Sequence, residues 1–494
     1  MFTTNLELVN KRQYARLIAL IFMVEGLVML LPVLAALYYG ERRELAGFAA
    51  TSLALIAIGF SGRRFIRSVP SRMKTRDGFL FVISSMLVAI VLGAVPFLAI
   101  GHGISPVDAW FESAAAWTTT GAHVIPSSRM PYSLVLWKSE MNFMGGFVMI
   151  FLTVSIFQKL GIGGQKSVAH DIPGAKFEKL TVRMGESARI LVKLYIILAL
   201  LEFGLLIVSG MHPYYALVNS LSTMSTSGII ELEPVYTGFV MTRLIKFILI
   251  VFTLLASFNF VLYFMIYERH LKIAVVNYEV RMYLMIILAA SAMISVSLFL
   301  DDRYDFFSCI YNSIIQTISY SSTSGFTLSK ISDWPGFAKV VLLFLPIIGG
   351  CGFSTASGIK VHRAAILYKI AMRGVYKRIH PKSMKPVFIN GKAVPAERAS
   401  SITVQALLWF AVLVISAVIF SLQDLGIETS FSAAIASLTN NGTSFGILTG
   451  GDFSCFSAPL RAFAGIVMIT GRLELYAVFV LFSRSFWDTN RATE

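Results

Sequence analysis

Charge and cysteine are both scarce in this chain. Only 14% of its 494 residues are charged, against roughly a quarter in soluble domains, which excludes an ordinary water-facing surface over most of the molecule. The three cysteines, Cys309, Cys351 and Cys455, are too few and too scattered for a disulfide framework or a metal cluster and read as reduced, structural residues. Also missing are an HExxH motif, a nucleophile elbow, a P-loop, a Rossmann fingerprint and paired carboxylates. Neither a membrane-embedded enzyme nor a nucleotide site within this chain finds support, and a membrane scaffold is only a distant alternative.

What the chain has in plenty is apolar sequence, 56% of the total. A membrane span needs about 20 such residues in succession. Stretches of this kind run near 15–39, 45–61, 79–100, 134–157, 188–210, 241–266, 282–300, 337–359, 402–421 and 460–483. The expectation is an all-α polytopic membrane protein of ten transmembrane helices. The first stretch is too long for a signal-peptide core and lacks a convincing cleavage site, so it is expected to stay as a span. The net charge of +15 reads as loop topology rather than nucleic-acid binding. Arg63, Arg64, Arg67, Arg72, Lys74 and Arg76 follow span two, Lys159, Lys166, Lys176, Lys179 and Arg183 follow span four, and Lys360 to Lys385 follow span eight. Those loops, and with them both termini, are expected to be cytoplasmic.

Four of the opposite loops share a pattern: "WFESAAAWTTTGAHV", "YALVNSLSTMSTSGII", "IYNSIIQTISYSSTSGFT" and "FSAAIASLTNNGTSFGI". Each holds a moderately apolar segment of re-entrant length, then a knot of hydroxyl or amide residues and a glycine. One such knot is ordinarily just a loop, but here it recurs at Gly121, Gly228, Gly325 and Gly442, roughly 100 residues apart. The recurrence predicts four repeats of span helix, short re-entrant helix, glycine loop and span helix around one axis, with two extra N-terminal helices. The expected divisions are 1–77 for the N-terminal extension, then 78–185, 186–281, 282–398 and 399–494 for repeats one to four.

Irregular backbone at membrane depth is tolerated only where protein buries it or water lines it. Four such loops around one axis can turn their carbonyls toward an ion, and short helices running inward aim their partially negative C-terminal ends at it, which favours a cation. The candidate ligand strands are Thr119-Thr120-Gly121-Ala122, Thr226-Ser227-Gly228-Ile229, Thr323-Ser324-Gly325-Phe326 and Asn440-Asn441-Gly442-Thr443. Further on, "GGCGFSTASGIKVHR", Gly349 to Arg363, interrupts the eighth span with small and polar residues; it reads as a pore-lining break or as a close small-residue helix contact. Arg472 lies amid apolar residues of the last span, facing a water-filled cavity or forming an ion pair with Glu474 or Glu202.

Over almost its whole length the sequence resembles the Trk/Ktr/HKT superfamily of cation transporters, specifically the bacterial Trk-type membrane subunit. The resemblance implies that the repeats are helix/pore-helix/filter-loop/helix units, with K⁺ as the transported ion and the four glycines as its selectivity filter. Relatives with serine at the first glycine tend to admit Na⁺, so Gly121 favours K⁺. It also implies an intramembrane gate formed by Gly349, Gly350, Cys351, Gly352, Phe353, Ser354, Thr355, Ala356, Ser357, Gly358 and Lys360, with Arg472 in the pore beneath the filter. The implied assembly is a homodimer in a bacterial inner membrane, joined by a cytosolic Trk-type ring that binds NAD, ATP or ADP. A gated channel and an H⁺- or Na⁺-coupled K⁺ symporter share this architecture. Two departures stand out: relatives commonly have proline and glycine where Thr443 and Ser444 follow Gly442, and often more glycine where Phe353, Ala356 and Ser357 stand. The basic stretch Lys369 to Lys392 is a candidate docking surface for the ring or for anionic lipid. Asp108 and Glu112 are candidate cation attractors or helix-dipole partners, His123 is a pH-sensitive mouth residue or an exposed loop residue, and Glu25 and Glu202 have open roles.

Overall fold

The computed structural model describes residues 11–66, 75–100, 103–151, 184–228, 241–267, 277–302, 304–328, 331–382, 386–389, 392–446 and 450–487. The basic residues Arg67 to Lys74 and Lys159 to Arg183, Lys385 and the filter candidate Ile229 lie outside them. Helices α1 (Lys11–Val28), α2 (Leu30–Tyr39) and α3 (Arg42–Phe65) come first. Small residues let α1 and α3 touch: a β-carbon on Gly59 would lie 2.6 Å from the Met23 amide nitrogen, and Ser52 Oγ donates to the Gly26 carbonyl at 2.7 Å.

A long helix, a short helix and a further helix then follow one another four times. They are α4 (Thr75–Ile100), α5 (Pro106–Trp117) and α6 (Tyr132–Phe151); α7 (Met184–Val208), α8 (Pro213–Met224) and α9 (Arg243–Ser257), the last continued by α10 (Phe260–Tyr267). Next come α11 (Tyr278–Leu300), α12 (Phe306–Ser321) and α13 (Gly336–Ile348), then α14 (Val361–Ile379) and a minimal antiparallel pair, β1 (Phe388–Ile389) with β2 (Lys392–Ala393). The chain ends with α15 (Ala396–Phe420), α16 (Ile427–Leu438), α17 (Ala458–Arg472), α18 (Tyr476–Phe482) and α19 (Arg484–Trp487).

Local chemistry starts the short helices. Ser105 accepts a hydrogen bond from the Asp108 amide and Asp305 from the Ser308 amide, while Pro106 and Pro213 occupy first-turn positions that need no donor. Their C-terminal halves are buried on all sides, as in Ser113 to Trp117 and Ser432 to Leu438. The long helices show the reverse. Leu53, Leu288 and Leu407 are 66%, 68% and 66% exposed, whereas Thr118, Ser225, Ser322 and Thr439 are fully buried. Apolar side chains outside and polar ones inside is the distribution a lipid solvent selects.

Among the described residues, six helical segments are long and apolar enough to cross a membrane: 12–39, 42–65, 78–100, 190–208, 278–300 and 396–423. A seventh, 243–267, is bent by 93° between α9 and α10. The sequence predicts an unbroken span there; instead Asn259 Oδ1 accepts the Val261 amide at 2.9 Å and starts a new helix. The stretch expected at 337–359 stops at Gly349, whose φ of 73° ends α13, and that expected at 460–483 breaks where Glu474 and Leu475 adopt positive φ. The stretch expected at 134–157 is helical through α6, and its last residues lie outside the described ones.

Two glycines seat the short helices on their neighbours. A β-carbon on Gly145 of α6 would collide with the Trp117 carbonyl oxygen at the end of α5, and one on Gly471 of α17 with the Leu438 carbonyl oxygen at the end of α16. Both obstacles are backbone and cannot swing aside. Gly145→Ala and Gly471→Ala are each expected to destabilise the protein by about 1–3 kcal/mol, the range for overpacking. Thermal unfolding of the purified variants in detergent checks this; unchanged transition temperatures would show that the contacts relax freely.

Candidate functional site: a closed ring of four glycine loops

The four short helices end alike. Thr120 N donates to Ala115 O at 2.8 Å, Ser227 N to Ser222 O at 3.0 Å, Ser324 N to Ser319 O at 3.0 Å and Asn441 N to Ala436 O at 3.0 Å. These are Schellman terminations, whose left-handed residue is usually glycine. Here it is Thr119, Thr226, Thr323 or Asn440, at φ of 55°, 55°, 56° and 52°. A β-branched residue rarely adopts that conformation, so three of the four turns store strain at equivalent places. The following glycines also have positive φ: Gly121 74°, Gly228 109°, Gly325 69° and Gly442 72°.

The loops meet in a closed order. A β-carbon on Gly121 would strike the Ser227 carbonyl oxygen; one on Gly228 would lie 3.2 Å from that of Ser324. One on Gly325 would strike that of Asn441, and one on Gly442 that of Thr120, which returns to the first loop. Loops far apart in sequence thus place peptide oxygens against each other's glycines. Thr120, Gly121, Ser227, Gly228, Ser324, Gly325, Asn441 and Thr443 border one cavity of about 320 Å³. Ala122 and Phe326 are buried beside them, and the Phe326 carbonyl accepts from Ser319 Oγ at 2.6 Å. The fourth loop is cross-tied: Asn440 Nδ2 donates to Thr120 Oγ1 at 3.0 Å and to Met468 O at 2.9 Å, and Thr443 Oγ1 donates to Gly325 O.

The acidic residues of α5 do something other than face the cavity. Glu112 is fully buried, its Oε2 2.6 Å from Lys138 Nζ and its Oε1 accepting the Val124 and Ile125 amides at 2.7 and 2.9 Å. It pins the segment after Gly121, and the Asp108 carboxylate pairs with Arg461 and accepts from the capping Ser105 Oγ at 2.7 Å. His123 lines the cavity, half-buried, its backbone bonded to Gly451 and Phe453; burial lowers its pKa from the usual value.

Residues Gly349 to Gly358 form a compact irregular loop directly against the third glycine strand. Ser357 N donates to Thr323 Oγ1 at 2.8 Å, linking the loop to that strand's left-handed residue. Cys351 N reaches Ser257 O at 3.0 Å, Thr355 Oγ1 reaches Ala256 O at 3.0 Å, and Phe260 N donates to Phe353 O at 3.1 Å. All three bonds use groups at the α9–α10 bend. Gly352 N donates to Glu279 Oε1 at 2.6 Å, Ser354 Oγ to Cys351 O at 2.6 Å, and Lys360 Nζ to Ala356 O. A β-carbon on Gly349 would strike the Ser357 carbonyl, and one on Gly350 would lie 2.6 Å from the Ala356 methyl group, so the loop folds tightly on itself.

Arg472 is buried and donates to Thr355 O at 2.8 Å, Ser357 Oγ at 2.9 Å and Gly145 O at 3.4 Å. It faces the loop rather than pairing with Glu474, which bonds Arg363 Nη2 at 2.6 Å; Glu202 lies buried beside Thr223. Glu279 and Asn259 are structural keys that the sequence reading passes over, and Arg363, read there as one of the loop's basic residues, is instead buried. The signal available was polar residues flanking or interrupting apolar stretches.

The Arg363–Glu474 pair is buried on both sides, so removing one partner takes away the ion pair of a buried charge. Arg363→Met and Glu474→Gln are each expected to destabilise by about 3–5 kcal/mol, the double variant by less than their sum. A thermal double-mutant cycle measures this, and strict additivity would deny the coupling.

The family model described as "TrkH: Cation transport protein" matches residues 46–489. The Trk system potassium uptake protein TrkH of Halomonas elongata is 31% identical over 491 residues, covering 96% of this chain and 99% of that protein. The Trk system potassium uptake protein TrkG of Escherichia coli is 30% identical over 466 residues, covering 94% and 96%. The crystal structure of the potassium transporter TrkH from Vibrio parahaemolyticus superposes with a TM-score of 0.88 at 28% identity, covering 97% of this chain and all of that one. The chain therefore belongs to the TrkH family of cation transport proteins.

Proposed function

We propose that this protein takes up K⁺ across a bacterial inner membrane through a gated, selective pore within each subunit. The observation that carries the reading is the closed succession of glycine-to-carbonyl contacts, Gly121 to Ser227, Gly228 to Ser324, Gly325 to Asn441 and Gly442 to Thr120. Peptide oxygens held in such a ring replace the water shell of a dehydrated cation, and four helix C-termini add negative potential. In this reading, the divisions 78–185, 186–281, 282–398 and 399–494 are four pore repeats around the ring, and 1–77 is an added pair of spans. The strands from Thr119 to Ala122, Thr226 to Ile229, Thr323 to Phe326 and Asn440 to Thr443 are the filter.

The loop Gly349 to Gly358, with Lys360, is the gate. Its contacts with Thr323 and Arg472 support this, because a loop bonded to a ring strand and to a buried cation lies where it can obstruct the path. Arg472 raises the barrier to cations while the loop is in place. The subunit works as a homodimer with both termini in the cytoplasm, under a cytosolic ring that binds NAD, ATP or ADP. The Trk-system naming of the relatives supports an association with further components. Arg373, Lys377 and Arg378 on the exposed part of α14 form its docking face.

Ion-flux assays in cells lacking their own K⁺ uptake test the central reading. K⁺ uptake well above Na⁺ uptake is expected, and equal uptake of the two ions would defeat selectivity. Gly121→Ser pushes a side chain against the Ser227 carbonyl and is expected to reduce the K⁺ preference about tenfold, equivalent to ~1.4 kcal/mol. Unchanged preference in that variant would remove the first loop from the filter.

A further inference from the structure

The four strands of the ring differ at the residue after the glycine. It is Ala122, Ile229 and Phe326 in the first three, and Thr443 in the fourth. Thr443 is buried, borders the cavity and donates its hydroxyl to the carbonyl oxygen of Gly325 on the neighbouring strand. The bond needs a bare glycine opposite, since a β-carbon on Gly325 would lie 2.9 Å from Thr443 Oγ1. At its other edge the same strand reaches the first loop through Asn440 Nδ2 and Thr120 Oγ1, 3.0 Å apart, and Asn441 Nδ2 donates within the strand to Thr443 O at 3.4 Å. The fourth strand is thus bonded by side chains to both its neighbours, and Thr443 makes the tie to the third.

We propose that Thr443 is a specificity-determining residue, its hydroxyl fixing the Gly325 carbonyl and so the spacing of oxygens around the transported cation. This rests on the ring being the K⁺ filter. A carbonyl oxygen has two lone pairs, so one can hold the hydroxyl while the other faces the ion. A carbonyl tied in this way resists turning inward, and a ring that resists contraction penalises Na⁺, which needs closer oxygens than K⁺. Without the hydroxyl, the Gly325 peptide regains that freedom and the penalty falls.

The test compares K⁺ and Na⁺ uptake by wild type, Thr443→Val and Thr443→Ser, normalised to protein in the membrane. Valine keeps the shape and deletes the hydroxyl; it is expected to reduce the K⁺-over-Na⁺ preference about three- to tenfold, the net worth of one hydrogen bond. Serine restores the hydroxyl and is expected to retain the wild-type preference. Thr443→Ala gives the same reading as valine where the valine variant is not inserted. A hydroxyl-free variant that takes up less of both ions in unchanged ratio would assign Thr443 a merely structural role and overturn the proposal, as would a serine variant no more selective than valine. An unselective wild type would sink the potassium reading and the proposal together, whereas a selective wild type with an equally selective valine variant would sink the proposal alone.

Discussion

Four peptide backbones approach so closely at the centre of this protein that three of the four glycines there face a carbonyl oxygen where a β-carbon would have to stand. That contact places demands outward. The strands must leave their short helices in a left-handed turn, which puts Thr119, Thr226 and Thr323 in a conformation threonine avoids, and buried surroundings must hold them there. The short helices must sit deep, so Gly145 and Gly471 take the ends of α5 and α16 against bare backbone. Glu112 then secures the outgoing segment of the first loop, with Lys138 balancing the carboxylate. Each feature is a local sacrifice of propensity or solvation that makes sense only around the ring.

Much of this was legible because the ring is built from main chain. Main-chain sites leave composition marks: glycine where φ is positive, small hydroxyl residues around it, and a short helix ahead, four times over. Sites built from side-chain pairs leave no such mark. Arg363 and Glu474 are distant in sequence, and nothing near either residue announces the other. The α9–α10 bend was hidden for a related reason: its stretch contains neither glycine nor proline, and the break is supported from elsewhere, the Phe353 carbonyl accepting the Phe260 amide and the Glu279 carboxylate the Asn259 side-chain amide. The acids of α5 diverge in a way their spacing does not announce: Asp108 sits in the first turn, where a helix-dipole partner belongs, whereas Glu112, further along, turns toward Lys138.

Arg472 shows how one buried charge can be ambiguous in sequence and specific in three dimensions. A cation inside an apolar helix must find either an anion or a set of dipoles. The nearest anion in sequence, Glu474, is two residues away and faces elsewhere, consistent with helical spacing and with the break that follows Arg472. The guanidinium turns to the Thr355 carbonyl and the Ser357 hydroxyl, groups offered by an irregular loop. The broken span and the buried charge thus answer one another: the loop has unspent acceptors, and the arginine has donors to place.

The same loop is tied to the ring by the Ser357 amide, which donates to Thr323 Oγ1. Thr323 is the left-handed residue that aims the third strand, so this bond fixes the side chain of the residue that sets the strand's direction. Any displacement of the loop breaks it, together with the bonds to Arg472 and to the carbonyls at the α9–α10 bend. The loop and the ring are therefore coupled through Thr323. The third strand takes contacts from two sides, from the loop at the strained Thr323 and from Thr443 at Gly325, so it is the strand most constrained by its neighbours' side chains.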